Sequence, residues 1–184
     1  LIMIISCVIG VILTSTIMLN QPTRDRFETT LRLFNFDHES INAATAFRLH
    51  IWQTAYSIFK ERPINGIGPR GFRFIYHEYA KSDDIFIKAG IPPTQPHLIL
   101  LEILAETGII GLVGFLSLFY FLIKLRRKIK NISYEFVFLI PVLVSLFPFN
   151  SHMAFYGSVW SSMIWLLMAI YFSSLRLALS QRTI

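Results

Sequence analysis

Four apolar stretches separated by polar segments run along the chain. The first extends from Leu1 to Leu19 without a charged residue. Nineteen residues at about 1.5 Å rise each nearly cover a bilayer core of about 30 Å. Prolines at positions 141 and 148 shorten the third stretch and predict a kink in it. We therefore expect transmembrane helices over residues 1–20, 98–123, 135–149 and 153–173.

The polar segment between the first two stretches is too long to be a bare connection. It covers residues 21–97, and its content of aromatic residues and isoleucine argues against disorder. Helical spacing of its apolar residues predicts a helix near 24–34, a main helix from about Ser40 to Arg62, and a shorter one from about Gly71 to Ala80. We expect a large helical loop here.

The short helix at 71–80 has an apolar face whose purpose the sequence leaves open. Phe72, Ile75, Tyr76 and Tyr79 fall on one side of it. Such a face suits the headgroup boundary of a bilayer, and it equally suits packing against the main helix. Both interpretations remain at this stage.

Composition supports the membrane assignment. The chain is 54% apolar and 15% aromatic, and only 15% of its residues are charged, against about 25% in an average soluble protein. We predict an all-α polytopic membrane protein with about four transmembrane helices and a large helical loop, forming a single membrane domain over residues 1–184. Because the chain begins at Leu1 within a hydrophobic run, we interpret it as the C-terminal part of a longer protein.

Basic residues predict the orientation. The run KLRRKIK at 124–130 has five Lys or Arg in seven positions, so the positive-inside rule places the loop at 124–134 in the cytoplasm. The loop at 21–97 and a short turn at 150–152 then lie outside, in the periplasm of a bacterial inner membrane, and the tail at 174–184 returns inside. Contact with anionic lipid explains the basic run more simply than nucleic acid does.

Residues 66–71 read GIGPRG, which formally matches the G-x-G-x-x-G fingerprint of dinucleotide-binding turns. That fingerprint needs a preceding strand and a following helix within a βαβ unit. Here the preceding stretch has helical spacing and ends at Pro63, so we interpret GIGPRG as a tight turn and expect no nucleotide.

Two segments resemble the domain shared by O-antigen ligases and O-antigen polymerases. The first reads FRLHIWQTAYSIFKERPINGIGPRGF, and the second reads QPHLILLEILAETGIIGLVGF. The family pattern has an Arg followed four residues later by Trp, a helix ending in Pro, a G-x-G turn, and a His before a helix similar to LEILAETG. The chain departs from this pattern at Gln95, where the family usually has a second His, and at Leu98, where it has Asn.

The resemblance implies a metal-independent enzyme that uses no cofactor. Such enzymes transfer a glycan from a polyprenyl diphosphate carrier to a hydroxyl of a glycan, lipid or protein acceptor. The matching positions are His97 as the catalytic base and Arg48 as the diphosphate ligand. A helix N-terminus next to His97 favours its neutral form, which accepts a proton, and an Arg is suited to grip phosphate oxygens.

Four other residues are weaker candidates. Arg70 and Arg73 flank the end of the turn and are placed to help bind diphosphate. Glu102 and Glu106 interrupt the second apolar stretch, where charged residues are costly and are either supporting site residues or carboxylates near a helix N-terminus. No spacing typical of a metal site is present. Glycines at positions 108, 111 and 114 predict a face for close helix contact.

Two alternative functions remain open. A transporter or flippase for lipid-linked glycans would bind the same headgroup without reaction, and a protein O-oligosaccharyltransferase would use the same donor with a protein acceptor. The sequence predicts membrane lipid, the donor and an acceptor as partners.

Overall fold

A computed structural model describes residues 2–35, 38–127, 134–150 and 155–180. Within these ranges the secondary structure is entirely helical, without a strand, which agrees with the predicted all-α class. The chain divides into two compact units, Leu1–Leu49 and His50–Ile184, which are described separately below.

The first unit contains three helices. Helix α1 spans Ile2–Leu19, α2 spans Gln21–Leu31 and continues into a 3₁₀ turn at Arg32–Asn35, and α3 spans His38–Ala44. Asn20 caps α2, since its side-chain oxygen accepts a hydrogen bond from the Thr23 N–H at 3.3 Å. The helix predicted near 24–34 is therefore present and begins slightly earlier.

The main helix predicted from Ser40 to Arg62 is two helices. Helix α3 ends at Ala44, and α4 spans Arg48–Glu61. Between them Ala46 and Phe47 adopt left-handed backbone angles, with φ of 52° and 61°. The Thr45 hydroxyl also donates to the carbonyls of residues 41 and 42, a side-chain contact that competes with helical hydrogen bonding. Apolar spacing alone did not reveal this break.

In the second unit, α4 packs against α5, which spans Phe72–Tyr79 as predicted. The two helices and one residue of a later helix, α7 (Ile99–Arg127), share an apolar core consisting of Ile51, Ala55, Ile58, Phe72, Tyr76 and Ala105. Phe72 and Tyr76 are fully buried there. Of the two interpretations of the α5 apolar face, packing against the main helix is the one that the structure shows.

A short helix, α6 at Ile85–Lys88, follows α5 and is organised by Asp84. The Asp84 side chain is 1% exposed and accepts hydrogen bonds from the N–H groups of Phe86 at 2.8 Å and Ile87 at 3.3 Å. Its other oxygen accepts the Tyr76 hydroxyl at 2.7 Å. Burial, followed by this hydrogen bond, raises the pKa of Tyr76 above its ordinary value, so the phenol remains a donor.

Three further helices lie in the described part of the second unit. They are α7 at Ile99–Arg127, α8 at Tyr134–Ser145 and α9 at Ser158–Ser180. Their shared core includes Leu122, Leu139, Val142, Leu146, Met168 and Tyr171. Pro141 lies inside α8, which has only 12 residues, and the helix ends before Pro148. Helix α9 begins at Ser158, and residues 153–154 of the fourth predicted segment lie outside the described residues.

Two helices in the described part of the chain combine the length and apolar character needed to cross a membrane. These segments are Ile99–Leu125 and Ser158–Leu177. They fall in the second and fourth predicted spans. The total of four spans remains a prediction, and residues 151–152 of the predicted outer turn and 128–133 of the basic loop lie outside the described residues.

Candidate functional site

Helix α7 is interrupted at Gly108, and the GIGPRG region fills the interruption. Gly108 has φ 63° and ψ −156°, angles that no right-handed helix contains. The turn after α4 bonds to the backbone groups on both sides of the break. The hydrogen bonds are Ile67 N–H to Ala105 O at 3.1 Å, Gly68 N–H to Glu106 O at 2.8 Å, Ile109 N–H to Pro63 O at 2.8 Å, and Ile110 N–H to Ile64 O at 3.2 Å. The break therefore leaves these backbone groups paired.

Two glycines allow this close approach. A methyl group on Gly66 would overlap backbone atoms of Ala105 and Glu106, and one on Gly108 would overlap the carbonyl of Ile64. Both glycines also have positive φ values, near 62° and 63°, which disfavour other residues. Close contact at Gly108 was expected, but with a helix face rather than with a turn.

The other two glycines of that predicted face behave differently. A methyl group on Gly111 would overlap the Thr107 side chain, whose hydroxyl lies 2.9 Å from the Tyr156 hydroxyl. A methyl group on Gly114 would meet nothing within 4 Å. The three glycines do not form one packing face.

The side chain of Glu106, on α7, binds the backbone at the end of the turn. Its carboxylate accepts hydrogen bonds from the N–H of Arg70 and, at 3.4 Å, from the N–H of Phe72 at the start of α5. A helix N-terminus with free N–H groups is where a phosphate would bind. Here an internal carboxylate holds that position, so the turn has a structural role.

Glu102, one turn earlier on α7, plays a similar part for α9. Its carboxylate accepts the N–H groups of Phe155 at 2.9 Å and Tyr156 at 3.1 Å, just before α9 begins. Glu102 and Glu106 are each 1% exposed. Both are buried carboxylates that accept backbone N–H groups, and their role as supporting site residues stays a prediction. The Glu102 contact holds the turn at residues 155–157 that leads into α9, which sequence periodicity could not show.

His97 lies in the loop directly before α7 and is held by its neighbours. The Trp52 indole N–H donates to the carbonyl of Pro96 at 3.1 Å, linking α4 to this loop. The side-chain nitrogen of Gln95 lies 3.2 Å from Nδ1 of His97. The backbone of His97 is left-handed, with φ 54°, which is uncommon for a residue other than glycine. Strained backbone of this kind concentrates at functional sites.

The turn between α8 and α9 meets the chain beside His97. The N–H groups of Ile99 and Leu100 donate to the carbonyls of Asn150 at 3.3 Å and Pro148 at 3.0 Å. These contacts satisfy donors that a helix N-terminus would otherwise leave unpaired. They place His97 and the 148–150 turn at the same end of α7.

The candidate arginines have different surroundings. Arg70 is exposed and adopts φ 62°. Arg73 is partly buried, and its buried Nε has no hydrogen-bond partner among the residues that the structure describes. Arg48 is the first residue of α4, one turn before Trp52, and it belongs to the first compact unit. That Arg48 and His97 contact a common ligand stays a prediction.

Sequence reasoning missed several contributors. It did not assign a role to Gln95 beyond its departure from the family pattern, nor to Trp52 as the donor that fixes Pro96. The contact between Trp52 and Pro96 forms only on folding, because the two residues are far apart in the chain. Gln95 and His97 are only two residues apart, so their proximity could have been noticed in the sequence. The break at Gly108 was also missed, because an apolar run continues on both sides of it.

The helical architecture, two candidate spans and the loop docked onto α7 define an all-helical protein with the character of a membrane protein. The chain belongs to the O-antigen ligase family, whose model matches residues 1–116. O-antigen ligases are glycosyltransferases of bacterial membranes, so the chain is a member of an enzyme family. The resemblance noted from the sequence is thereby confirmed.

A relative from Rickettsia conorii carries the name "putative polysaccharide ligase". It is 29% identical over 131 residues, an alignment that covers 67% of this chain and 31% of the relative. The chain thus spans less than a third of that protein's length. No solved structure gives a significant match to the chain.

Proposed function

We propose that this chain provides part of the catalytic centre of a glycosyltransferase. The enzyme transfers a glycan from a polyprenyl diphosphate carrier to an acceptor hydroxyl on the periplasmic side of a bacterial inner membrane. The acceptor oxygen forms a bond to the anomeric carbon of the donor, the bond from that carbon to the diphosphate breaks, and the proton of the hydroxyl passes to His97. The carrier diphosphate leaves with its electron pair.

The observation that supports this proposal most directly is the way His97 is held. Its loop is fixed by Trp52 through Pro96, its ring lies against Gln95, and its backbone is in a strained conformation. A histidine that merely lies near a membrane surface needs none of these contacts. Fixed geometry matters for a general base, since proton transfer requires hydrogen-bond reach to the reacting hydroxyl.

Cationic side chains are needed to stabilise the negative charge of the departing diphosphate. The different surroundings of the three arginines indicate that they contribute unequally to this. Arg70 is exposed on a turn whose backbone Glu106 fixes, so its guanidinium is accessible to a phosphate. The Arg73 side chain is partly buried on α5, whose first N–H binds Glu106. We assign diphosphate binding to Arg48 and Arg70 and give Arg73 a lesser share.

The exposure pattern of α7 suggests where the membrane begins. Residues 99–108 are all buried or partly buried, whereas Ile109, Ile110 and Val113 immediately after the break are 48%, 63% and 57% exposed. We propose that residues 109–125 form the spanning segment, because 17 helical residues cover about 26 Å of a core of about 30 Å. Glu102 and Glu106 then belong to the periplasmic part, together with His97.

Replacing His97 with Ala tests the catalytic role. We expect glycan transfer by the full-length enzyme to fall about 10²- to 10⁴-fold, because the proton acceptor is lost, while the donor still binds. His77→Ala is the matched control, since His77 is exposed on α5, where its ring nitrogen lies 4.0 Å from the carboxylate of Glu78. Undiminished transfer by the His97 variant would reject the role of His97 as the catalytic base.

The acceptor class can be read from cells that lack the full-length protein. Short unpolymerised repeat units would indicate a polymerase, and polymer remaining on its carrier would indicate a ligase. Proteins that have lost their glycan, without either of these changes in the polysaccharide, would indicate a protein O-oligosaccharyltransferase.

A further inference from the structure

The turn after α4 presents an exposed isoleucine where the exposed part of α7 begins. The side chain of Ile64 is 63% exposed. Its carbonyl accepts the N–H of Ile110 at 3.2 Å, and the carbonyl of Pro63 accepts the N–H of Ile109 at 2.8 Å. Ile109 and Ile110 are themselves 48% and 63% exposed. The turn at 63–66 thus adds an apolar side chain beside the start of the exposed apolar surface of α7.

The backbone of this turn is suited to a position without water. Irregular backbone is tolerated at membrane depth only where the protein itself satisfies its polar groups. Here N–H groups of α7 bind the carbonyls of residues 63 and 64, and the N–H of Ile67 donates to the carbonyl of Ala105 at 3.1 Å. Residue 63 is a proline, which has no N–H to satisfy. These backbone groups therefore do not depend on solvent.

The sequence leading into the turn changes in the way expected at a membrane surface. Tyr56 is 54% exposed, and the ammonium group of Lys60 lies 5.7 Å from the centre of its ring. Tyrosine is enriched where a bilayer meets water, and lysine reaches along apolar surface towards the headgroups. Charged residues continue to Arg62, whereas residues 63–69 carry no charge. The chain therefore passes from anchoring side chains to an uncharged turn.

We propose that the turn at 63–66 is inserted into the outer leaflet of the bilayer that α7 crosses. Ile64 then contacts phospholipid chains, and Tyr56 and Lys60 lie among the headgroups. Continuity with α7 identifies the partner as lipid, because the turn is bonded to the residues at which the proposed spanning segment begins. The inference rests on the proposed function, which places that segment at 109–125.

This insertion changes the predicted topology and gives the turn a task. The loop at 21–97 was predicted to lie wholly outside the membrane, whereas one of its turns now enters the bilayer. Arg70 follows the turn directly, and its backbone N–H is bound by Glu106 of α7. The guanidinium of Arg70 is thereby held close to the headgroups, where a carrier lipid presents its diphosphate.

Spin labels measure this depth in the full-length enzyme, reconstituted in phospholipid nanodiscs in a background without other reactive cysteines. A nitroxide at Ile64→Cys is compared with a control at Ser82→Cys, which is exposed in the polar run KSDD of the same loop. Val113→Cys, at a side chain that is 57% exposed on α7, is the reference within the span. Oxygen concentrates in the bilayer, and a neutral nickel complex concentrates in water. We expect the ratio of oxygen to nickel accessibility to be several-fold higher at Ile64 and Val113 than at Ser82.

Asn65→Cys repeats the measurement at the next residue of the turn, and its ratio should fall between those of Ser82 and Val113. An Ile64 label as accessible to nickel as the Ser82 label would overturn the inference. A label shielded from both reagents would also overturn it, because another part of the protein or a second copy would then cover the turn. A Val113 label in contact with water would reject the proposed span together with the inference. The role of His97 is tested separately by its own variant.

Discussion

At the scale of single residues, buried carboxylates organise this fold by accepting backbone N–H groups. Glu102, Glu106 and Asp84 are each 1% exposed, and each accepts two such hydrogen bonds. Burying a charged group is costly unless it is hydrogen-bonded, which is why these contacts matter more than surface ion pairs. Each carboxylate fixes the start of a helix or of the segment leading into it.

Glu106→Gln tests this role. The amide keeps one acceptor and turns an NH₂ group towards a backbone N–H, so we expect a loss of about 1–3 kcal/mol in the free energy of unfolding. Thermal unfolding of the purified protein in detergent measures it. Glu28→Gln is the matched control, because Glu28 is exposed in a pair with Arg24 and its loss should change stability by less than about 0.5 kcal/mol. Equal effects of the two substitutions would contradict the assigned role.

The hydrogen bond from Tyr76 to Asp84 gives a second prediction. Tyr76→Phe removes a donor to a buried carboxylate and should cost about 1.5–3 kcal/mol, whereas Tyr56→Phe, at a side chain that is 54% exposed, should cost little. The pKa of Tyr76 is raised in the folded state, so its stabilising contribution is complete below the unfolded value of about 10 and is lost as the pH rises above it.

Unfolding measured at pH 8 and at pH 11 checks the second part of this prediction. The difference in stability between the wild type and Tyr76→Phe should shrink at the higher pH. A difference that grows with pH would show that the phenol does not retain its proton in the fold.

At the scale of elements, the joint between the 63–68 turn and the break in α7 connects the long apolar helix to the loop that carries Arg70. Gly108→Ala places a methyl group against the Ile64 carbonyl and requires a left-handed alanine. We expect it to destabilise the protein by about 2 kcal/mol or more.

Gly114→Ala on the same helix is the matched control for Gly108→Ala. A methyl group there meets nothing, and alanine has the higher helix propensity, so the change should be neutral or stabilising by up to about 1 kcal/mol. Chemical unfolding of both variants measures the contrast. If Gly108→Ala were as stable as the control, the break in α7 would not be a feature of the folded protein.

At the scale of the whole molecule, the proposed orientation is testable by accessibility. In a background without other reactive cysteines, Ser57→Cys on the exposed face of α4 should react with a membrane-impermeant maleimide in intact spheroplasts. Ser180→Cys, at the exposed end of α9, should react only after the membrane is opened. Labelling of both, or the reverse pattern, would reject the orientation derived from the basic run.

The chain alone is expected to be insufficient for catalysis, because it spans 31% of the length of its relative from Rickettsia conorii. A donor groove built by several spans would need the remaining length. This is why the activity assays above use the full-length enzyme.

Hydrophobic periodicity, composition and charge were sufficient to predict the coarse features of the fold. They indicated the helical class and the apolar helices. The residues of two motif segments carried the resemblance to the O-antigen ligase family, and that resemblance implied the candidate residues His97 and Arg48. These are local or compositional properties, since apolar run length, helical spacing and basic clusters act through neighbours in the chain.

Only the tertiary structure decided how those parts meet. Three contacts depend on three-dimensional packing or on backbone angles. They are the joint between the 63–68 turn and the break in α7, the contact of Glu106 with the Arg70 backbone, and the contact of Gln95 with His97. A helical pattern of apolar residues continues through the break in α7 and through the turn before α4, so neither interruption was visible beforehand. Both arise because contacts formed on folding compensate for the helical hydrogen bonds that are lost.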